Sequence, residues 1–219
     1  MSLNNLLTLI GGGSYETLYM VFLSGFIAVI LGIPLGILLL ITQKDNLWEQ
    51  NLINRMTGFI VNVFRSIPFI ILMIAVIPFT RLVVGTSIGT TAAIVPLTIA
   101  AIPFMARLTE SSLMSVQSGL IEAALAMGAT TKQIVFNILL PEALPSMIQG
   151  ITLMTITLVS FSAMAGAVAG GGLGDVAIQY GYQRFDTTIM IITVVVLVVL
   201  VQALQWIGDK LTIKLKHQK

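Results

Sequence analysis

Arg65 is the single charge in the apolar run Met56–Phe79. It lies about nine residues into that run, or roughly 14 Å at 1.5 Å per residue, close to the middle of a membrane core. A guanidinium facing lipid there would cost at least about 2.5 kcal/mol, so the group must be paired or wet. The nine acidic residues (Glu16, Asp45, Glu49, Glu110, Glu122, Glu142, Asp175, Asp186 and Asp209) all fall outside the apolar runs. Three chemistries remain open: bonds to carbonyls freed near Pro68, bonds to groups on a second copy of the chain, or contact with a substrate carboxylate. Arg65, Ser66 and Pro68 are therefore candidate path residues. Ser160, Ser162 and Met164, where a later apolar run meets a glycine-rich stretch, are candidate gate residues.

A second constellation, Glu122–Pro141, suits docking rather than catalysis. Its spacing is Glu122-Ala123-Ala124, then Met127-Gly128, then Ile138-x-Leu140-Pro141. The pattern predicts a helix over Leu120–Met127, a turn at Gly128 where glycine tolerates positive φ, and a second helix from Thr131 to Leu140. Thr130 with Gln133 forms a capping box for the second helix, and Pro141 opens the next element. Glu122 is expected in the first turn of the first helix, where a carboxylate suits the positive end of the dipole and small alanines permit close approach. A third group, Gly172, Asp175, Tyr180, Tyr182, Gln183 and Arg184, follows the glycine run. Its tyrosines suit an interfacial belt, or an external docking surface for a substrate-delivery protein.

The elements that position these residues are membrane spans. Hydrophobic residues are 57% of the 219 and charged residues 9%, with mean hydropathy +1.01, against about 25% charged in ordinary soluble domains. Five runs are long enough to cross a core of about 30 Å: 18–41, 56–79, 88–106, 143–169 and 187–207. They leave little chain for a separate soluble module, so one all-α domain over 1–219 is expected. Lys44, Arg55, Arg107, Lys132, Lys210, Lys214, Lys216 and Lys219 flank one side, against Arg81 and Arg184 on the other. The basic side is expected to be cytoplasmic, with the N-terminus outside and the C-terminus inside. No cleavable signal peptide is evident.

Between the spans, Gly11-Gly12-Gly13 is expected to break a short external lead-in. Gly32-x-x-x-Gly36 in span one permits close approach of another helix. Trp48 within Thr42–Asn54 suggests a short amphipathic piece at headgroup level. The run from Gly170 to Gly174 is expected to be too permissive for regular helix. Pro68, Pro78, Pro96 and Pro103 are more breakers than a simple anchor needs, and broken spans persist only beside protein or a wet cavity. The chain has no cysteine, and His217 in the basic tail is read as inert. There is no Gly-x-x-x-x-Gly-Lys-Ser/Thr segment to cradle ATP phosphates, so energy must come from a partner.

The Glu122–Pro141 pattern resembles the EAA loop of membrane subunits of ATP-binding-cassette importers, and the layout of the whole chain resembles a type I importer permease. Within that family Arg65-Ser66-Ile67-Pro68 and Gly170–Phe185 look most like the methionine importer permease. The resemblance implies a non-catalytic translocation subunit of the bacterial cytoplasmic membrane. It implies a second copy of the chain, two cytoplasmic ATPases carrying ATP and magnesium, and an external binding protein. It implies no cofactor on this chain and no nucleic-acid partner. Glu122, Ala123, Ala124, Met127, Gly128, Ile138, Leu140 and Pro141 would contact the ATPase. A permease for a polar amino acid, glycine betaine or phosphonate is the alternative cargo reading. A self-contained secondary transporter is the alternative class, although the apolar cores hold no paired carboxylates for ion coupling.

Overall fold

The computed structural model describes residues 3–216 and is all-helical; His217 and Lys219 lie outside the described residues. Ten helices follow in order: α1 Leu3–Ile41, α2 Asn51–Ser66, α3 Phe69–Ala75, α4 Ile77–Val84, α5 Thr90–Met114, α6 Ser118–Ala126, α7 Thr131–Ile134, α8 Leu140–Gly166, α9 Gly172–Val176 and α10 Thr187–Lys216. Single π-helical turns occupy Val135–Leu139 and Ala177–Tyr182. Four stretches are long and apolar enough to span a membrane: most of α1, α5, the continuous run Thr131–Gly166, and α10. The fifth span expected over 56–79 is broken instead, with α2 and α3 bent by 103°. Pro68 explains the break. It lacks an N–H and disfavours helix in its predecessor, and Ile67 is extended at φ −81°, ψ 123°.

The core lies where α1, α5 and α8 cross. Met20, Val21, Leu97, Met105, Met154 and Leu158 are fully enclosed there. The small-residue spacing of α1 serves α5 of the same chain: a Cβ on Gly32 would stand 2.7 Å from the Met105 Cβ, and one on Gly36 would strike the Ala106 carbonyl. These glycines let the two backbones approach closely.

Three local expectations are overturned. The Gly11–Gly13 triplet does not interrupt α1, which runs unbroken to Ile41. Gly13 is buried with α9 against it, a Cβ there lying 3.1 Å from Val176 Cγ2; tertiary packing outweighs glycine's helix penalty of about 1 kcal/mol. Within the stretch 42–54 residues 42–50 form turns, the Trp48 amide closing back on the Ile41 carbonyl at 2.9 Å, and only residues 51–54 are helical, as the start of α2. The glycine run does become helical from Gly172, because α1 supplies acceptors for the first amides of α9: Gly172 N–H donates to Glu16 Oε2 at 2.7 Å and Leu173 N–H to Thr17 Oγ1 at 2.9 Å.

Candidate functional site

The Glu122–Pro141 segment forms a hairpin packed on one end of the bundle. Its first helix, α6, begins two residues earlier than expected and carries no acid in its first turn. Glu122 therefore sits in the second turn, where the dipole has faded, which removes the electrostatic reason given for it. The closing turn forms as expected. Gly128 has φ +79° and nothing within 4 Å of a built Cβ, and the Ala129 amide donates to the Ala124 carbonyl at 3.0 Å. Thr130 caps α7 through a full capping box. Pro141 does not separate the second helix from the span. It lies in the first turn of α8, just after the π turn Val135–Leu139, so α7 and α8 are one continuous rod. Proline cannot donate to the carbonyl four residues back and crowds it, and the wider turn falls where that strain would arise.

The hairpin has two faces. Ala124, Ile134, Val135 and Leu139 are buried against Leu40, Leu113 and Met147, with Ile138 and Leu140 packed partly alongside. Glu122, Ala123, Gly128 and Pro141 are exposed, and Leu120, Leu125 and Met127 present apolar side chains outward, Met127 at 82% exposure. Of the small pair, Ala124 fits the core while Ala123 faces out. The sequence reading missed Leu125 and Leu120 on the outer face. Their spacing from Met127 carries that signal only once the helix register is known.

Behind the hairpin lies a polar network that the sequence did not reveal. Glu110, 7% exposed in its side chain, pairs with Arg107 at 2.7 Å and accepts from Gln43 Nε2 at 2.7 Å. Arg107 also donates to Asn62 Oδ1 at 2.9 Å. The network joins the end of α1 to α5 and α2. Its members are far apart in sequence and of ordinary type, so no local spacing marks them.

The candidate external face lies at the other end of α1, where Glu16 and Thr17 meet α9. Gly172 is buried there, Gly171 and Gly172 both have φ near +80°, and each would clash if given a Cβ. Gly172 thus shapes the turn and offers no surface. Asp175 accepts from Gln179 Nε2 at 2.7 Å. Tyr180 lies beneath the Arg184 guanidinium, 4.3 Å from ring centroid to Cζ. Tyr182, Gln183, Arg184 and Phe185 are exposed, just before Asp186 accepts from the first amides of α10.

The path candidates do not converge. Arg65 and Ser66 lie at the end of α2, and Arg65 faces a cleft between α2, α3, α5 and α8. Ser160 and Met164 open toward α10 beside Leu197 and Val201. Ser162 is buried and bonds the Val159 carbonyl at 2.7 Å. Helical periodicity explains the split, since residues four apart share a face and residues two apart do not.

Residues 28–214 match the family described as binding-protein-dependent transport system inner membrane component. The chain is 58% identical over 205 residues to the probable D-methionine transport system permease protein MetI of Vibrio cholerae, covering 94% of this chain and 91% of that one. It is 53% identical over 154 residues to the D-methionine transport system permease protein MetI of Escherichia coli K12, covering 70% and 71%. The structure superposes on a chain of the inward-facing MetNI methionine ABC transporter with TM-score 0.95 and 49% identity, covering 98% of this chain and 99% of that one. An amino acid ABC transporter solved with histidines shares the fold at TM-score 0.81 and 18% identity. The chain belongs to the family of inner membrane components of binding-protein-dependent transport systems.

Proposed function

We propose that this chain is the membrane-spanning permease subunit of an ATP-driven importer for methionine, in its L or D form, or close analogues. The observation that carries the reading is near full-length similarity to relatives named for D-methionine transport, joined to superposition on a methionine ABC transporter. In the working assembly a second copy completes the path, because four continuous spans and one broken span can line only part of it. Two ATPases carry ATP and magnesium, and this chain performs no hydrolysis. Each ATPase takes the outer face of the hairpin, with Leu120, Glu122, Ala123, Leu125, Met127 and Gly128 as contact surface. Ala124, Ile138 and Leu140 brace that surface from behind, and Pro141 marks where the hairpin passes into the span. An external binding protein delivers solute at the opposite end, on Tyr182, Gln183, Arg184 and Phe185.

The placement of both surfaces supports this division. The hairpin packs near Leu40 and the α9 turn near Glu16, about 36 Å apart along α1 at 1.5 Å per residue, a distance that exceeds a bilayer core. The basic flanks lie on the hairpin side, which by the positive-inside rule supports a cytoplasmic hairpin and an external N-terminus.

Uptake of labelled methionine into cells lacking this gene, with and without the restored chain, tests the cargo. Restored methionine uptake is expected. Restored uptake of betaine or histidine with methionine unchanged would overturn the cargo and keep the importer. Transport by the purified chain alone in liposomes, with no ATPase retained, would overturn the importer.

A further inference from the structure

Arg65 ends α2 beside a cleft of about 230 Å³. The lining is largely aromatic, with Phe64, Phe69, Phe104 and Phe161 beside Arg65 and Thr157. Phe161 is locked by Phe69, the two rings stacked at 4.5 Å and 2°. The cleft reaches mid-depth at Thr157, which stands about 21 Å from the start of the apolar run 143–169 and about 18 Å from its end at 1.5 Å per residue. Among the described residues no carboxylate pairs with Arg65, and Glu110 is taken by Arg107. Its Cζ is 6.0 Å from the Phe104 centroid, the outer limit of a cation–π contact.

Two of the residues lining the cleft carry acceptors. Pro68 has no N–H, so the Phe64 carbonyl receives no i→i+4 bond from the helix. Thr157 Oγ1 donates its hydrogen to the Leu153 carbonyl at 2.8 Å, and its lone pairs stay open to a donor. One fixed cation, two acceptors and apolar walls therefore share a space suited to a single small solute.

We propose that this cleft is a transit site for a small zwitterion with an apolar side chain. Arg65 binds the carboxylate through its two-pronged guanidinium, the Phe64 carbonyl and Thr157 hydroxyl receive the ammonium, and Phe104 and Phe161 hold the tail. A thioether tail suits these rings, because sulfur packs favourably at aromatic edges. The break at Pro68 creates the site: a continuous span would bond the Phe64 carbonyl and direct α3 along the bilayer normal. The proposal rests on the importer reading for the delivery of the solute and its direction of travel.

The test uses the permease purified with its ATPase in nanodiscs of phosphatidylcholine, with a tritiated diazirine analogue of methionine as the probe. Photolysis is expected to label peptides containing Phe64–Phe69 or Thr157–Phe161. Free methionine should suppress the label about tenfold more effectively than methioninol, which lacks the carboxylate. Arg65→Gln should cut labelling by about tenfold or more while the ATPase is retained, and Arg65→Lys should restore part of it. The methioninol comparison needs no variant and stands if both variants misfold. Equal suppression by methioninol, labelling untouched in a folded Arg65→Gln, or an Arg65→Gln that separates the two copies without altering the label would overturn the site. Labelling that falls when phosphatidylglycerol is added and ignores methionine would assign Arg65 to lipid phosphate and also overturn it. Methionine uptake by proteoliposomes containing the complex and its binding protein is measured in parallel. Uptake without labelling in the cleft sinks the transit site alone, whereas labelling without uptake sinks the importer and leaves the site.

Discussion

Glu16 Oε2 accepts the Gly172 amide at 2.7 Å, joining the N-terminal half of α1 to the start of α9 across 156 positions of sequence. A carboxylate and a threonine hydroxyl on one helix satisfy the first two amides of another, as an N-cap residue would do at the start of its own helix. The turn at Gly171 and Gly172 is fitted around them, since a Cβ on Gly171 would stand 2.8 Å from Glu16 Oε2.

Glu16→Ala is expected to cost about 1.5–3 kcal/mol, the range for a hydrogen bond to a charged group. Glu16→Gln keeps an acceptor oxygen and should lose about half of that. Thermal unfolding of the purified complex reads the loss, and limited proteolysis between Gly166 and Gly172 should quicken in the alanine variant alone. Unchanged cleavage would show that the turn holds without its cap.

The Arg107–Glu110 pair makes a different prediction, because Glu110 is buried and Arg107 is partly exposed at 26%. Removing the arginine strands a carboxylate that still has Gln43 at 2.7 Å. Arg107→Ala should therefore destabilise by about 1–3 kcal/mol, below the cost for a pair buried on both sides. Adding Glu110→Gln should recover part of it, because a neutral amide can remain bonded to Gln43. A double-mutant cycle on unfolding midpoints checks this, and strict additivity would deny the coupling.

At Gly36 the prediction concerns packing. A Cβ there meets the Ala106 carbonyl and stands 2.6 Å from Thr109 Cβ, and backbone cannot yield as a flexible side chain can. Gly36→Ala should cost about 1–3 kcal/mol through overpacking, and Gly36→Leu should prevent folding of the complex. Gly12→Ala, on the same helix with nothing within 4 Å, is the control and should be neutral or slightly stabilising. Loss of folded protein from Gly36→Ala and Gly12→Ala alike would point to the glycine content of α1 rather than its contact with α5.

Composition and run length made the all-helical membrane fold legible, and the EAA spacing made the hairpin legible, because both are local patterns. What stayed hidden depends on contacts distant in sequence. The Gly11–Gly13 triplet reads as a breaker until α9 packs on Gly13. The Gly170–Gly174 run reads as loop until Glu16 and Thr17 cap it. Ser160, Ser162 and Met164 read as one group until helical phase sends them to different sides. Arg65 was conspicuous as a lone charge, yet only the 103° break at Pro68 shows that it borders an aromatic cleft.

The hairpin separates two roles that the sequence motif runs together. Met127 is 82% exposed and Ala124 is 1% exposed, although only three positions separate them. Met127→Glu puts a charge on the outer face and disturbs no packed neighbour, so the fold should keep its stability while ATPase retention on copurification falls by about tenfold or more, the loss expected for an apolar contact at the centre of an interface. Glu122→Lys acts on the same exposed face and should weaken retention with membrane insertion intact. Gly128→Asp adds strain, because a non-glycine residue at φ +79° costs on the order of 1–2 kcal/mol, and should loosen the turn as well as the contact. Ala124→Leu should behave in the opposite sense to Met127→Glu: overpacking against Leu113 and Ile134 lowers the unfolding midpoint, and ATPase loss follows from the damaged support. Measuring unfolding and copurification on all four variants separates surface from brace. Normal retention and normal transport in Met127→Glu would remove the outer face of α6 from the interface.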